Sequence, residues 1–140
     1  MCLEIIAEIA PDAPARVSAE RLAEVSGLSV RQVRRQPRGA LRFSQQPGCS
    51  CDLMSDSADW NAATWDLTPR ALLGLEKAVT VLVRDARRFT FLAHWLGGDE
   101  PPTVAPVSGR ELLQNIRDNR VRNNVLYQVG GSRVRHLSLL

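Results

Sequence analysis

No uncharged apolar run in this chain approaches the ~18 residues of a membrane-spanning helix, so no membrane partner is expected. The first ten residues, MCLEIIAEIA, hold Glu4 and Glu8 and no basic residue. A secretory signal needs a positive start and a clean apolar stretch, and this segment has neither. Cysteine is scarce, with three in 140 residues. An odd count builds no disulfide framework and fits a reducing compartment, so a cytoplasmic protein of bacterial type is expected. Lysine is nearly absent: Lys77 stands alone among 18 basic residues, the rest being arginine, as GC-rich coding produces. Internal repeats, a phosphate loop, a dinucleotide fingerprint, a nucleophile elbow and an H-E-x-x-H pair are all missing. With no clustered acid, base or nucleophile, no catalytic residue and no cofactor is assigned. The expected function is a small non-catalytic binding module that engages a protein partner or self-associates.

What is present is a composition of 44% hydrophobic and 24% charged residues, that of one folded globular domain. The domain is expected over 1–131, with a C-terminal tail over 132–140. The net charge of +3 is uneven: −3 over 1–15, +5 over 16–42, −4 over 43–69 and +5 over 70–140. A basic block beside an acidic one can steer an anionic partner or pair within the fold.

In LEIIAEI, residues 3–9, alternation predicts a strand with one buried face. A helix with Glu4 and Glu8 on one side is the other reading. Ser18 and Gly27 bracket a short helix as N-cap and C-cap. VRQVRR and ALRFSQQ flank a Pro37–Gly39 turn and predict a hairpin. Thr68, then Pro69, then Leu72, Leu75, Val79 and Leu82 at three-four spacing predict a helix over 69–88. FTFLAHWL, apolar on both faces, predicts a central strand. GGDEPPTVAP predicts a loop, Ser108 with Glu111 a capping box opening a helix, and VLYQV a last strand. The fold class is therefore α+β: a mostly antiparallel sheet of four or five strands, helices on one face, in a ferredoxin-like element order.

RVSAERLAEVSGLSVRQVRR, residues 16–35, resembles the winged helix-turn-helix of DeoR- and GntR-type regulators over residues 3–36. Val17, Ser18, Leu22, Ala23, Gly27, Leu28, Ser29 and Val33 carry the resemblance. It implies an alternative architecture, an N-terminal winged helix-turn-helix followed by a small α+β domain. It also implies a DNA-binding regulator in which Arg31, Gln32, Arg34, Arg35 and Arg38 face nucleic acid. Pro37 cuts such a reading helix to about seven residues, which favours the hairpin.

Cys49-Ser50-Cys51 is the remaining chemical candidate, as a thiol or metal site. On an extended strand the two α-carbons stand ~7 Å apart, beyond ordinary disulfide reach. A structural zinc site wants four ligands. Cys2, His94 and His136 are the available supplements, each isolated in sequence, so the pair is expected to be two small apolar side chains. Asp52, Asp56, Asp59 and Asp66 read as capping residues of a solvated loop. Trp60 and Trp65 are expected to pin that loop to the sheet, or, if exposed, to form a partner surface. His94 is expected to be a satisfied core histidine.

Overall fold

A computed structural model describes residues 2–10, 13–14, 17–33, 40–59 and 61–130. Arg34, Arg35, Arg38, the Pro37–Gly39 turn, Trp60, His136 and the 132–140 tail lie outside the described residues. Six strands form one sheet in the order β2-β3-β1-β4-β6-β5. Three helices stand against one face, around a core that joins Leu22, Leu75 and Leu112 to Phe43, Phe89, Phe91 and Tyr127. Burying each of these large side chains stabilises the fold by about 1.5–3 kcal/mol. No helix among the described residues is long and apolar enough to cross a membrane.

β1, Leu3–Ile9, runs between β3 and β4, and both its faces are buried. Leu3, Ile5, Ala7 and Ile9 enter the helix-side core. Glu4, Ile6 and Glu8 face the other side and are scarcely exposed either. Ser18 Oγ accepts the Arg21 N–H at 3.2 Å and opens α1, Ala19–Ser26. Gly27, at φ 72°, closes it by donating its N–H to Ala23 O. Only a residue tolerant of the left-handed region can make that stop without strain.

After Leu28 the chain is extended. β2, Ser29–Gln32, pairs antiparallel with β3, Ala40–Ser44, from Ser29↔Ser44 to Gln32↔Leu41. Ser29 therefore opens a strand, and no second helix of a helix-turn-helix occupies residues 29–32. Packing explains the choice. Val30 enters the helix-side core, and Val33, three residues on, packs with Ile6 and Ala40 on the other side of the sheet, opposite faces that an odd spacing gives along an extended chain. Leu28 is seated on α2 at Gly74, where an added Cβ would come within 2.8 Å of Leu28 Cγ.

α2, Pro69–Val81, starts with Pro69 at its first position and Thr68 Oγ1 accepting the Ala71 N–H at 3.1 Å. It runs on into a π-helical turn, Leu82–Ala86, that ends at Arg87 with φ 66°. β4, Phe89–Trp95, lies between β1 and β6 as a central strand.

The loop expected over 97–106 contains a strand, β5, Thr103–Val107, so the sheet has six strands rather than four or five. β5 runs parallel to β6, Val125–Val129, and α3, Gly109–Arg117, connects them. That pair is the one parallel ladder among the described residues; the rest is antiparallel, as expected. β5 evaded the pattern because it is an edge strand with no fully buried residue and carries Pro106, which an edge tolerates. Ser108 and Glu111 form the expected capping box.

Candidate metal centre

The end of β3 determines what happens at the start of β1. In the antiparallel ladder Ile5 lies opposite Phe43, and β3 ends one residue later at Ser44. At this end of the ladder the Leu3 and Ile5 N–H groups look to side-chain acceptors rather than to β3. The next segment of the chain supplies the acceptors from its side chains. A 3-10 turn, Ser50–Leu53, folds back along β1. Ser50 Oγ accepts the Ile5 N–H at 2.9 Å and donates to Phe43 O. Cys51 Sγ accepts the Leu3 N–H at 3.1 Å.

The loop between is pinned before any ligand arrives. Asp52 accepts the Gln45 and Gln46 N–H groups, one on each oxygen, both at 2.8 Å. Ser44 Oγ donates to Gln46 O at 2.6 Å, and Arg42 Nη1 to Gly48 O at 3.3 Å. On the other side of β1, Leu96 N–H donates to Cys2 O at 2.8 Å, which ties Cys2 to the end of β4.

These constraints bring all three cysteines of the chain together. The Sγ atoms of Cys2, Cys49 and Cys51 lie within 4.8 Å of one another. All three are reduced and partly exposed. Cys2, isolated in sequence, is thus placed beside the Cys49–Cys51 pair by the fold. No fourth His, Cys, Asp or Glu donor among the described residues joins the group. The neighbours are otherwise committed: both Asp52 oxygens to backbone N–H groups, and His94 Nε2 to Glu4 Oε1 at 3.0 Å.

The two loop thiols differ. The Cys51 thiol, and next its backbone N–H, lower the Cys49 pKa, with burial opposing. Cys49 closes no capping hydrogen bond of its own, so proximity rather than a formed cap favours its thiolate. Burial foremost, and then the Cys49 thiol, push Cys51 up to about 11, against the pull of the Leu3 N–H. At pH 8 a thiol raised from 9.0 to about 11 holds about a hundredfold less thiolate, the species that reacts with alkylating agents. Iodoacetamide is therefore expected to modify Cys49 before Cys51. Peptide mass mapping of a time course reads the order, and faster labelling of Cys51 would reverse the assignment.

Ser50 is fully buried with both its hydrogen-bond partners on the sheet. Ser50→Ala leaves a buried N–H and a buried C=O without that hydroxyl and is expected to destabilise the fold by about 2 kcal/mol. Urea denaturation measures it; an unchanged midpoint would show that the hydroxyl contributes nothing at this junction.

The other candidate residues fall elsewhere. Arg31 and Gln32 are exposed on β2, which pairs with β3 and not with β1. Trp65 is buried, donates Nε1–H to Ala93 O at 3.2 Å and meets Trp95 edge-on at 4.9 Å. It pins the loop to the sheet, as expected, and offers no exposed partner surface. Asp59 and Asp66 act as caps and clamps: Asp59 accepts the Asn61 N–H, and Asp66 the Asn119 side-chain amide at 2.8 Å.

His94 is no core histidine. It is partly exposed on the second face of the sheet, against the buried Glu4. Arg42 Nε approaches the other Glu4 oxygen at 3.3 Å, out of line for a hydrogen bond, so that contact is Coulombic. A cavity of about 240 Å³ on this face is lined by Glu4, Glu8, His94 and Glu100. Its central carboxylate is already held by a histidine and an arginine, whereas the thiols offer three convergent donors.

No family model, curated protein or solved structure matches this chain.

Proposed function

We propose that this protein is a metal-binding module that takes one thiophilic ion on Cys2, Cys49 and Cys51. The observation that carries the reading is the convergence of all three sulfurs within 4.8 Å, drawn from two segments nearly fifty residues apart. Thiolates select soft and borderline ions such as Cu(I) and Zn(II). A tetrahedral ion with bonds of about 2.3 Å separates its sulfurs by about 3.8 Å, so the side chains close in by about 1 Å at most. Three protein donors leave one coordination position for an external ligand. The hydrogen-bonded loop supplies the outer shell that orients thiolate ligands.

The test is metal titration of the reduced, metal-stripped protein. Cobalt(II), a spectroscopic stand-in for zinc, is expected to give sulfur-to-metal charge-transfer absorption saturating at one equivalent. Zinc is expected to bleach that absorption by displacement. A folded, fully reduced protein that takes up neither ion removes the proposal.

A further inference from the structure

Resting on that metal reading, we propose that the three thiols are matched to trivalent arsenic, bound as a three-coordinate tris-thiolate. Coordination number comes first. Zinc here depends on an external fourth ligand, because none of the described carboxylates or imidazoles joins the cluster. Trivalent arsenic completes its shell with three pyramidal bonds and a lone pair, and needs no further donor.

Charge is the second ground. Three thiolates leave a net charge of −1 around Zn(II) and −2 around Cu(I), but zero around As(III). The surroundings penalise a residual negative charge. Asp52 stands in the same loop, and residues 43–69 carry four aspartates and no basic residue. Of the described guanidinium groups set against this loop, Arg42 is directed to Glu4 and to Gly48 O, and Arg70 to the Gln45 side chain. An uncompensated anionic complex in a partly buried, acidic site is disfavoured by like-charge repulsion; a neutral one is not.

The reaction balances without a redox partner. Arsenite, As(OH)3, exchanges its three hydroxides for three sulfurs: three S–H and three As–O bonds break, and three As–S bonds form. Each thiol proton leaves with a hydroxide as water, three waters in all, and arsenic remains trivalent throughout. The partial exposure of the three cysteines gives the hydroxide access.

The experiment is native mass spectrometry of the reduced full chain offered arsenite, zinc, and both at equal concentration. The expected adduct is one arsenic in place of three protons, at least tenfold over the zinc adduct in the mixture. Arsenite is also expected to protect all three cysteines from alkylation. C49S is expected to lose the arsenic adduct. H136A, which removes a donor type outside the described residues, is expected to keep it in full. Zinc uptake without arsenite uptake overturns the arsenic assignment and leaves the metal reading standing; uptake of neither ends both. An arsenic adduct that survives alkylation of the thiols, or is lost in H136A, overturns the three-thiol assignment. The wild-type competition needs no variant to fold.

Discussion

Cys51→Ser is expected to weaken metal binding by more than a hundredfold while leaving the fold nearly as stable as before. The two halves of that result come from the two jobs of one sulfur. As a proposed donor, Cys51 is one of three among the described residues, and a serine hydroxyl is a hard, protonated substitute that soft ions reject. Loss even of a group that merely orients a metal ligand costs ten- to a hundredfold in affinity, so loss of a ligand costs more. As an acceptor, Cys51 holds the Leu3 N–H at the head of β1, and a serine oxygen can take that bond over. Cys51→Ala separates the jobs. It loses the metal equally and also leaves the Leu3 N–H without its acceptor, at about 1–3 kcal/mol. Titration with cobalt(II) and urea denaturation on both variants read the two effects. Should Cys51→Ser bind the ion as tightly as the natural protein, the sulfur is no ligand.

The same sulfur shows where sequence reasoning reaches and where it stops. Local signals placed most elements. Ser18 and Gly27 bounded α1, Thr68 and Pro69 opened α2, and Ser108 with Glu111 opened α3, because caps act through hydrogen bonds within four residues. The extended state of residues 29–32 was legible in the strand-compatible run VRQVRR and in the approach of Pro37. β5 was not, because a half-exposed edge strand that carries a proline lacks any periodic burial. The three-thiol cluster was half visible. Cys49 and Cys51 announced themselves by spacing, but Cys2 could join them only through the pairing of β1 with β3. Antiparallel pairing sets the first residues of β1 beside the segment C-terminal to β3, and that segment is the cysteine loop. Register is a property of the assembled sheet, decided by which faces bury, and no window of a few residues contains it. His94 failed for a similar reason. Its apolar neighbours in FTFLAHWL suggested the core, yet Glu4 across the ladder gives that face of the sheet a polar centre.

A second large effect is expected far from the thiols. Gly130→Ala is expected to cost about 3 kcal/mol or more, a large part of the ~5–15 kcal/mol that holds such a domain together. Gly130 comes directly after β6 and sits at φ 86°, where an alanine pays about 1 kcal/mol or more for its Cβ. Space is the larger problem. The added Cβ would lie 2.2 Å from Arg87 O and 2.9 Å from Arg88 Cγ. An arginine side chain can swing aside, but the Arg87 carbonyl cannot. Arg87 is itself at φ 66° and terminates the π-helical turn, and two residues on, Phe89 is locked opposite Val129 in the β4–β6 ladder. Relief therefore means shifting the end of one buried strand against another. Gly48, at φ 146°, is the control: its backbone also favours glycine, but nothing lies within 4 Å of its added Cβ, so Gly48→Ala carries backbone strain alone. Urea unfolding of the two variants, compared at constant slope, measures the difference. Equal midpoints would mean that the β4–β6 junction yields as easily as an exposed loop. At temperatures where Gly130→Ala remains folded, it is expected to give the same cobalt(II) titration as the natural protein, because its strain enters at the β4–β6 junction while the thiols are positioned by β1, the end of β3 and the end of β4.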